Sequence, residues 1–174
     1  MLASQAELSR RERGSTHVGW AAVGGVAVFG GVAAFGDETK RNEQNEIVEA
    51  GGLGAFVIEV RDCLNLPNEL SDVQSVEGVP CGQPHHAQAY AVFDVTGFGD
   101  AFPGSAAFEQ QASQGCYDRF EGFVGLSYEE SELDIMTMEP TAESWTQLDD
   151  REIVCLLILP DQGTFNYDAQ NSRR

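Results

Sequence analysis

Four cysteines, Cys63, Cys81, Cys116 and Cys155, are the residues of this sequence with the widest range of chemistry. Thiols can pair as cystines, bind a soft metal ion or form a redox-active dithiol. The sequence contains no C-x-x-C motif, which argues against a redox centre. Four cysteines allow three disulfide connectivities, so the pairing depends on which structural elements carry them.

Two adjacent histidines, His85 and His86, begin four residues after Cys81 and raise the question of a metal site. Zinc requires three or four converging ligands, whereas adjacent residues of an extended chain point to opposite sides. A cysteine that is oxidised to a cystine is also lost as a ligand. We therefore predict no metal site here, and we expect His85 to brace the Cys81 loop by hydrogen bonding.

An acidic stretch of Glu129, Glu130, Glu132 and Asp134 offers another kind of site, because several carboxylates can hold calcium. The stretch lacks the ligand spacing and the glycine of a calcium loop, which favours a solvated loop. The sequence contains no G-x-S-x-G or H-E-x-x-H motif and no glycine-rich phosphate loop after a strand. It therefore predicts neither an enzyme nor a cofactor.

The charge of the chain is strongly acidic, with 28 Asp and Glu residues against 10 Lys and Arg residues and a formal net charge of -18. Nucleic-acid binding requires a basic surface that neutralises phosphates, and this composition does not provide one. Attachment to a membrane surface through a polybasic segment is excluded for the same reason.

An uncharged run of 19 residues, Val18–Gly36, precedes all four cysteines. As a helix it would be roughly 29 Å long, about the thickness of the hydrocarbon core of a bilayer. The run predicts one transmembrane helix in contact with lipid. Two alternatives stay open, namely a signal peptide cleaved after Ala34-Phe35-Gly36 and a buried glycine-rich helix of a soluble protein.

The charges that flank this run predict its orientation. Arg10, Arg11 and Arg13 precede it, so the positive-inside rule places residues 1–17 in the cytoplasm as a short arm. The acidic remainder then lies outside the cell membrane. We predict a solvated linker at residues 37–54, a folded extracytoplasmic domain at 55–160 and a flexible tail at 161–174.

The hydrophobic pattern of residues 55–160 predicts an α+β domain. Strands are expected at 56–64, 73–79, 88–95, 134–139 and 151–159, and helices at 105–122 and 141–148. Short connections favour a mostly antiparallel sheet packed by the one long helix. Cystines are the default outside the cell, and we favour Cys63–Cys81, between the first two strands, and Cys116–Cys155, between helix and last strand.

Several short segments, taken in order, resemble the septum formation family domain of actinobacterial membrane proteins and lipoproteins. They are Asp62-Cys63-Leu64, Val79-Pro80-Cys81, Pro84-His85, Val92-Phe93-Asp94, Phe102-Pro103-Gly104, Cys116, Pro140-Thr141-Ala142-Glu143-Ser144-Trp145 and Asp150-Arg151 before Cys155. The resemblance implies an extracytoplasmic domain behind one N-terminal anchor, with a link to cell division and no known activity. The chain departs from the family pattern at Gln88, where an acidic residue is frequent, and at Leu148-Asp149-Asp150, where glycine and aspartate are more usual.

Beyond the cysteines, four residues are candidates for structural or binding roles: His85, Trp145, Asp150 and Arg151. A tryptophan in this setting is expected to fill the core. Asp150 and Arg151 either form a partly buried ion pair at the start of the last strand or lie in a solvated turn.

The sequence favours a non-catalytic domain that binds a protein partner in the envelope or in a membrane complex. Two other functions remain as alternatives. One is an envelope enzyme or redox factor built around His85, and the other is an ion- or ligand-sensing module that uses the acidic stretch.

Overall fold

Eight strands and two α-helices form the part of the chain that this computed structural model describes, residues 38–67 and 75–174. The strands are β1 (Lys40–Arg41), β2 (Ile47–Glu49), β3 (Gly51–Gly54), β4 (Cys63–Asn65), β5 (Ser75–Val79), β6 (Ala87–Asp94), β7 (Asp134–Met138) and β8 (Glu152–Ile158). The helices are α1 (Ser105–Val124) and α2 (Ala142–Gln147), with 3-10 turns at Ala55–Val57 and Tyr128–Glu130. The predicted cytoplasmic arm and the predicted span Val18–Gly36 lie outside the described residues.

Six of the strands form one antiparallel sheet in the order β3-β5-β4-β6-β8-β7, and β1 and β2 form a separate pair. The apolar run of β8 lies between β6 and β7, where both of its edges are paired. The prediction of an α+β fold with an antiparallel sheet and one long helix is confirmed.

Helix α1 covers one face of the sheet through a stripe of buried residues at four-residue spacing: Phe108, Ala112, Cys116 and Phe120. Gly115 lies beside this stripe, where an added Cβ would come within 2.3 Å of the Phe93 ring. A glycine at this position therefore lets the helix backbone approach β6 closely.

The opposite face of the sheet is covered by the segment that we predicted to be a linker. Ile47 and Leu53 are 7% and 5% exposed and pack with Val76, Val154 and Leu156 in a second core. The linker prediction is therefore wrong for residues 38–54. The glycines of this segment pair as strand β3 with β5. The two large apolar side chains Ile47 and Leu53 then cover the sheet.

The predicted first strand is also shorter than expected, because regular pairing begins at Cys63. The carboxylate of Asp62 accepts hydrogen bonds from Nη1 and Nη2 of Arg41, at 2.6 and 2.7 Å. It also accepts one from the backbone N–H of Glu59, at 2.8 Å. Arg61 has a positive φ of 83°. These local bonds turn residues 59–62 out of extended geometry.

The C-terminal tail, predicted to be flexible, is bonded to the domain. Phe165 and Ala169 are 5% and 0% exposed. The backbone N–H groups of Asn171 and Arg173 donate to the carbonyls of Phe123 and Val124 at the end of α1, at 2.8 and 3.0 Å. The prediction for residues 161–174 is therefore wrong, because two apolar side chains and several backbone bonds tie them down.

Within residues 38–67 and 75–174, no helix is both long enough and apolar enough to span a bilayer.

Candidate functional site

Two disulfides join the elements that carry the predicted site residues. Cys63 of β4 bonds to Cys81, just after β5, and Cys116 of α1 bonds to Cys155 of β8. The Cα atoms of the pairs are 5.2 and 5.5 Å apart, within the ordinary range for cystines. These are the two pairs that the sequence favoured.

His85 is fully buried behind the Cys81 loop. Its Nδ1 lies 2.7 Å from the carbonyl of Gln83, and its ring packs edge-on against Phe165, with the centroids 4.2 Å apart. Its Nε2 has no hydrogen-bond partner among the described residues. Burial lowers the pKa of His85 below its ordinary value. Because a carbonyl oxygen can only accept, Nδ1–H donates to Gln83, which is a hydrogen bond to the Cys81 loop of the kind that we expected.

His85 belongs to a group of polar side chains whose contacts the sequence did not reveal. We call this group, Arg61, His85, Gln88 and Asp168, the Gln88 cluster. The fully buried Gln88 donates from Nε2 to Asp168 Oδ1 at 2.8 Å and accepts from the N–H of Ala169 at 2.7 Å. Arg61 donates to Asp168 Oδ2 at 3.0 Å. The amide nitrogen and the amide oxygen of Gln88 thus both bind the C-terminal segment, at Asp168 and Ala169.

The charges of the Gln88 cluster are balanced by hydrogen bonds. Burial alone would raise the pKa of Asp168, but bonds from the Gln170 backbone, Gln88 and Arg61 together hold that pKa below its ordinary value. A carboxylate at position 88 would face the carboxylate of Asp168. Gln88, where this chain departs from the family pattern, therefore provides the neutral donor that Asp168 requires. The two residues are 80 positions apart, so no local motif indicates their contact.

Trp145 is 1% exposed and fills a second cluster, as expected. We use the name Trp145 cluster for Trp145 with Phe98, Phe102, Phe108 and Arg151. The ring of Trp145 stacks on that of Phe108, with centroids 5.8 Å apart and 2° between the planes, and its Nε1–H donates to the carbonyl of Asp100 at 3.1 Å. The guanidinium of Arg151 covers the ring at 3.6 Å from its centroid.

Of the two alternatives for Asp150 and Arg151, the ion pair between them does not form, and each side chain has other partners. Arg151 pairs with Asp149 at 3.0 Å and donates to the carbonyls of Trp145 and Asp150. The carboxylate of Asp150 instead accepts from the hydroxyl of Ser144 at 2.8 Å and from the N–H of Glu152 at 3.0 Å.

The same segment begins with a capping box. Thr141 Oγ1 accepts the N–H of Ser144 at 3.1 Å, and Ser144 Oγ accepts the N–H of Thr141 at 2.9 Å. The predicted N-cap at Thr141 is confirmed. Ser144 Oγ also reaches Asp150, so the cap fixes the loop between α2 and β8.

A surface cleft of about 350 Å³ opens beside this cap, and we call it the α2 cleft. Its walls combine apolar and acidic side chains: Ala55, Phe56, Met138, Leu148 and Val154 with Glu139, Glu143, Asp150 and Glu152. Phe56 and Leu148 are 42% and 61% exposed, which is high for large apolar side chains. Exposed apolar groups within a rim of carboxylates suit a ligand that is itself apolar and cationic.

The carboxylates of the acidic stretch are bonded to separate partners. Glu129 accepts from the hydroxyl of Tyr117 at 2.5 Å, and Asp134 accepts from the hydroxyl of Tyr128 at 2.6 Å. Within residues 38–67 and 75–174, no three His, Cys, Asp or Glu side chains converge as metal ligands. The geometry of the acidic stretch therefore gives no support to a calcium site.

Comparison with known proteins identifies one family. The family model described as septum formation matches residues 15–155, and neither a curated protein nor a solved structure matches the chain. The match includes both disulfides, the Trp145 cluster's Arg151 and strands β1–β3, so the segment first taken for a linker is part of the family's unit. This chain belongs to the septum formation family.

Proposed function

We propose that the protein is a single-pass membrane protein whose acidic extracytoplasmic domain binds a protein partner without catalysis, in an envelope or membrane complex linked to cell division. The observation that carries this proposal is the α2 cleft. It presents the exposed side chains of Phe56 and Leu148 next to the α2 capping box and the Ser144–Asp150 hydrogen bond, which fix the loop in its wall. Membership of the septum formation family supports the link to division.

The anchor in this proposal is the uncharged run Val18–Gly36. The family match begins at residue 15 and so includes this run together with the domain. Two cystines in the domain fit an oxidising compartment outside the cytoplasm. With Arg10, Arg11 and Arg13 on the cytoplasmic side, the domain that follows the anchor lies on the extracytoplasmic side of the membrane.

Membrane topology is tested by protease treatment of intact native cells. The proposal expects an added protease to remove the domain from a membrane-embedded fragment of about the first 40 residues, and expects thiol alkylation to leave all four cysteines unmodified before reduction. A domain protected from protease until the cells are broken, or four cysteines alkylated without reduction, would contradict this location.

Partner binding is tested by affinity purification of the tagged full chain from solubilised membranes, followed by mass spectrometry. We expect a stable companion protein. Leu148→Ser and Phe56→Ser, which remove the exposed apolar walls of the α2 cleft, are expected to reduce its recovery at least about tenfold, the effect of losing about 1.4 kcal/mol of binding.

The matched control is Val60→Ser, which removes an apolar side chain of similar exposure (46%) outside the α2 cleft. It is expected to retain the companion. Full recovery with both cleft variants would exclude the cleft as the contact surface. Recovery of nothing above background, with the full chain and with a chain lacking residues 18–36, would exclude the binding role itself.

A further inference from the structure

A second groove, of about 490 Å³, lies between helix α1 and strand β7. We call it the β7 groove; its walls include Ile135 and Thr137 of β7, Glu109 and Tyr117 of α1, Tyr128 of the 3-10 turn, and Glu139. Strand β7 is the edge strand of the described sheet and pairs with β8 on its inner side. An edge strand that faces an open groove is a template for an added strand.

The register shows which backbone groups of β7 lie on its outer edge, away from β8. Just before β8, the carbonyl of Arg151 accepts a hydrogen bond from the N–H of Val95, just after β6, at 2.8 Å. Backbone groups alternate in direction along a strand, so the odd-numbered residues of β8 bond to β6. The even-numbered residues of β8 therefore bond to β7. Leu156 of β8 is opposite Met136 of β7, which turns the backbone of Ile135 and Thr137 away from the sheet.

A side-chain bond agrees with this register. The N–H of Ile135 donates to Asp134 Oδ1 at 2.8 Å rather than to β8. Thr137, two residues further on, directs its N–H and C=O to the same side. All five residues of β7 are half-exposed, and the strand contains no proline or lysine that would hinder pairing. At this edge no strand of the described residues pairs with β7, and the N–H and C=O of Thr137 and the C=O of Ile135 are directed toward an incoming extended chain.

The charge of the groove limits what can enter it. Glu109 and Glu139 lie among its walls, while Ile135 and the half-exposed ring of Tyr117 supply apolar surface. A second copy of this chain, with a net charge of -18, would bring the same carboxylates against them. An extended segment with Lys or Arg side chains would instead neutralise them.

We infer that β7 binds an extended cationic segment of a partner protein as an added strand between β7 and α1. This inference rests on the proposed function in taking the ligand to be a protein, but it uses a different groove, whose walls share Glu139 with the α2 cleft. Backbone hydrogen bonds to the N–H and C=O of Thr137 and to the C=O of Ile135 provide the pairing, and alternate side chains of the segment reach Glu109, Glu139 and Ile135.

The first test titrates the ¹⁵N-labelled full chain in detergent micelles with the synthetic peptide acetyl-Lys-Thr-Val-Thr-Lys-Thr-amide. We expect a dissociation constant below about 1 mM, with the largest amide shifts at Ile135 and Thr137. The peptide with Glu in place of both Lys residues is expected to bind at least about tenfold more weakly, a difference of about 1.4 kcal/mol. Equal affinity for the two peptides, or shifts confined to other residues, would overturn the inference.

Strand addition makes a parity prediction that a simple ionic contact does not. Two isomers of the Lys peptide carry N-methyl groups on alternate amides, one on the odd residues and one on the even residues. Only one set of amides faces β7, so one isomer is expected to lose binding and the other to keep it. Equal affinities of the two isomers, strong or weak, would exclude an added strand.

Protein variants locate the charge. Glu109→Gln with Glu139→Gln is expected to weaken binding of the Lys peptide about fivefold or more, whereas Glu43→Gln with Glu121→Gln, which removes two exposed carboxylates outside the groove, is expected to leave it unchanged. Equal weakening by the two double variants would show a general charge effect and overturn the inference.

The outcome is separable from that of the proposed function. If affinity purification recovers a companion that the Glu109→Gln, Glu139→Gln variant retains fully, the groove is not its binding site and the proposed function stands. If purification recovers nothing while the Lys peptide binds with the expected parity, the groove stands and the proposed function loses its support. Groove shifts that grow with protein concentration alone would identify a second copy as the occupant and overturn the inference.

Discussion

The Gln88 cluster and the Trp145 cluster stabilise the domain in different ways. The Trp145 cluster is built from rings that stack, and Arg151, its cation, lies six residues from Trp145 in the chain. The Gln88 cluster is built from polar groups, and its central bond joins Gln88 to Asp168, 80 residues apart. Aromatic packing tolerates small errors of position, whereas a buried polar group needs a specific partner. We therefore expect the first cluster to respond to loss of volume and the second to changes of charge.

The largest expected effect is at Trp145. Trp145→Ala removes the plug of the aromatic cluster and is expected to lower the free energy of unfolding by about 4 kcal/mol, because the cavity cannot fully collapse. Denaturant unfolding of the full chain in detergent measures this change. Phe56→Ala, at an aromatic residue that is 42% exposed, is the control and should cost far less. Equal losses in the two variants would mean that the cluster does not carry the stability assigned to it.

The Gln88 cluster is tested by changing charge with almost no change of volume. Gln88→Glu places a second carboxylate beside Asp168 and is expected to cost about 2 kcal/mol at neutral pH. The loss should shrink as the pH falls, because protonation of the new carboxyl restores a donor toward Asp168.

The matched control for this change is Gln114→Glu. Gln114 also donates to an aspartate, Asp118, at 2.7 Å, but on the exposed surface of α1. There solvent screens the two charges, and a loss of about 0.5 kcal/mol or less is expected. Similar losses at the two positions would refute the idea that burial makes the Gln88 cluster sensitive to charge.

Protonation of His85 is expected to have the next largest effect. Burial lowers the pKa of His85 in the folded state, so the unfolded chain takes up a proton first as the pH falls below about 6.5. Stability is thus complete above that pH and decreases below it, by at most about 1.4 kcal/mol per pH unit for one proton. Asp168 opposes this shift and His86 adds to it.

Thermal unfolding of the full chain between pH 5 and 8 measures the slope. His85→Gln removes the titrating group and is expected to flatten the curve in this window, whereas His86→Gln, at the half-buried neighbour, is expected to keep most of the slope. An unchanged slope in His85→Gln would assign the pH dependence to other groups.

The smallest expected effect returns to the Trp145 cluster. Arg151→Lys keeps the charge but removes the planar group above Trp145 and a donor to its carbonyl. A loss of about 0.5–1 kcal/mol is expected. Arg119→Lys is a comparison, since Arg119 lies over Phe93 at 4.5 Å in an exposed setting and should lose less. If Arg119→Lys costs more, the position of Arg151 against a buried ring is not what gives it weight.

Local patterns in the sequence predicted much of this fold. The four-residue spacing from Phe108 to Phe120 indicated α1, and Thr141 indicated the start of α2, because both signals depend on neighbours within a turn or two. The alternation of residues 88–95 and the apolar run of β8 indicated the two longest strands. The favoured disulfide pairs followed from the order of these elements.

Contacts between distant segments were not accessible from the sequence. The glycines and charges of residues 37–54 predict a linker, yet Ile47 and Leu53 cover the second face of the sheet. Gly78 allows this cover, since an added Cβ would lie 2.8 Å from Ile47 Cδ1. Likewise, nothing near Gln88 indicates Asp168, and nothing near Asp150 indicates that Ser144 rather than Arg151 binds it.

The place of β8 in the sheet also determines the order in which the domain can be completed during synthesis. β8 is the last strand to leave the ribosome, but it lies between β6 and β7 rather than at an edge. Until residue 158 has emerged, β6 and β7 have no shared neighbour, and Cys116 has no Cys155 to pair with. A nascent chain that stalls before this point holds an unpaired thiol and two open strand edges. A chain that stops before β8 therefore lacks the strand that joins β6 to β7 in the sheet.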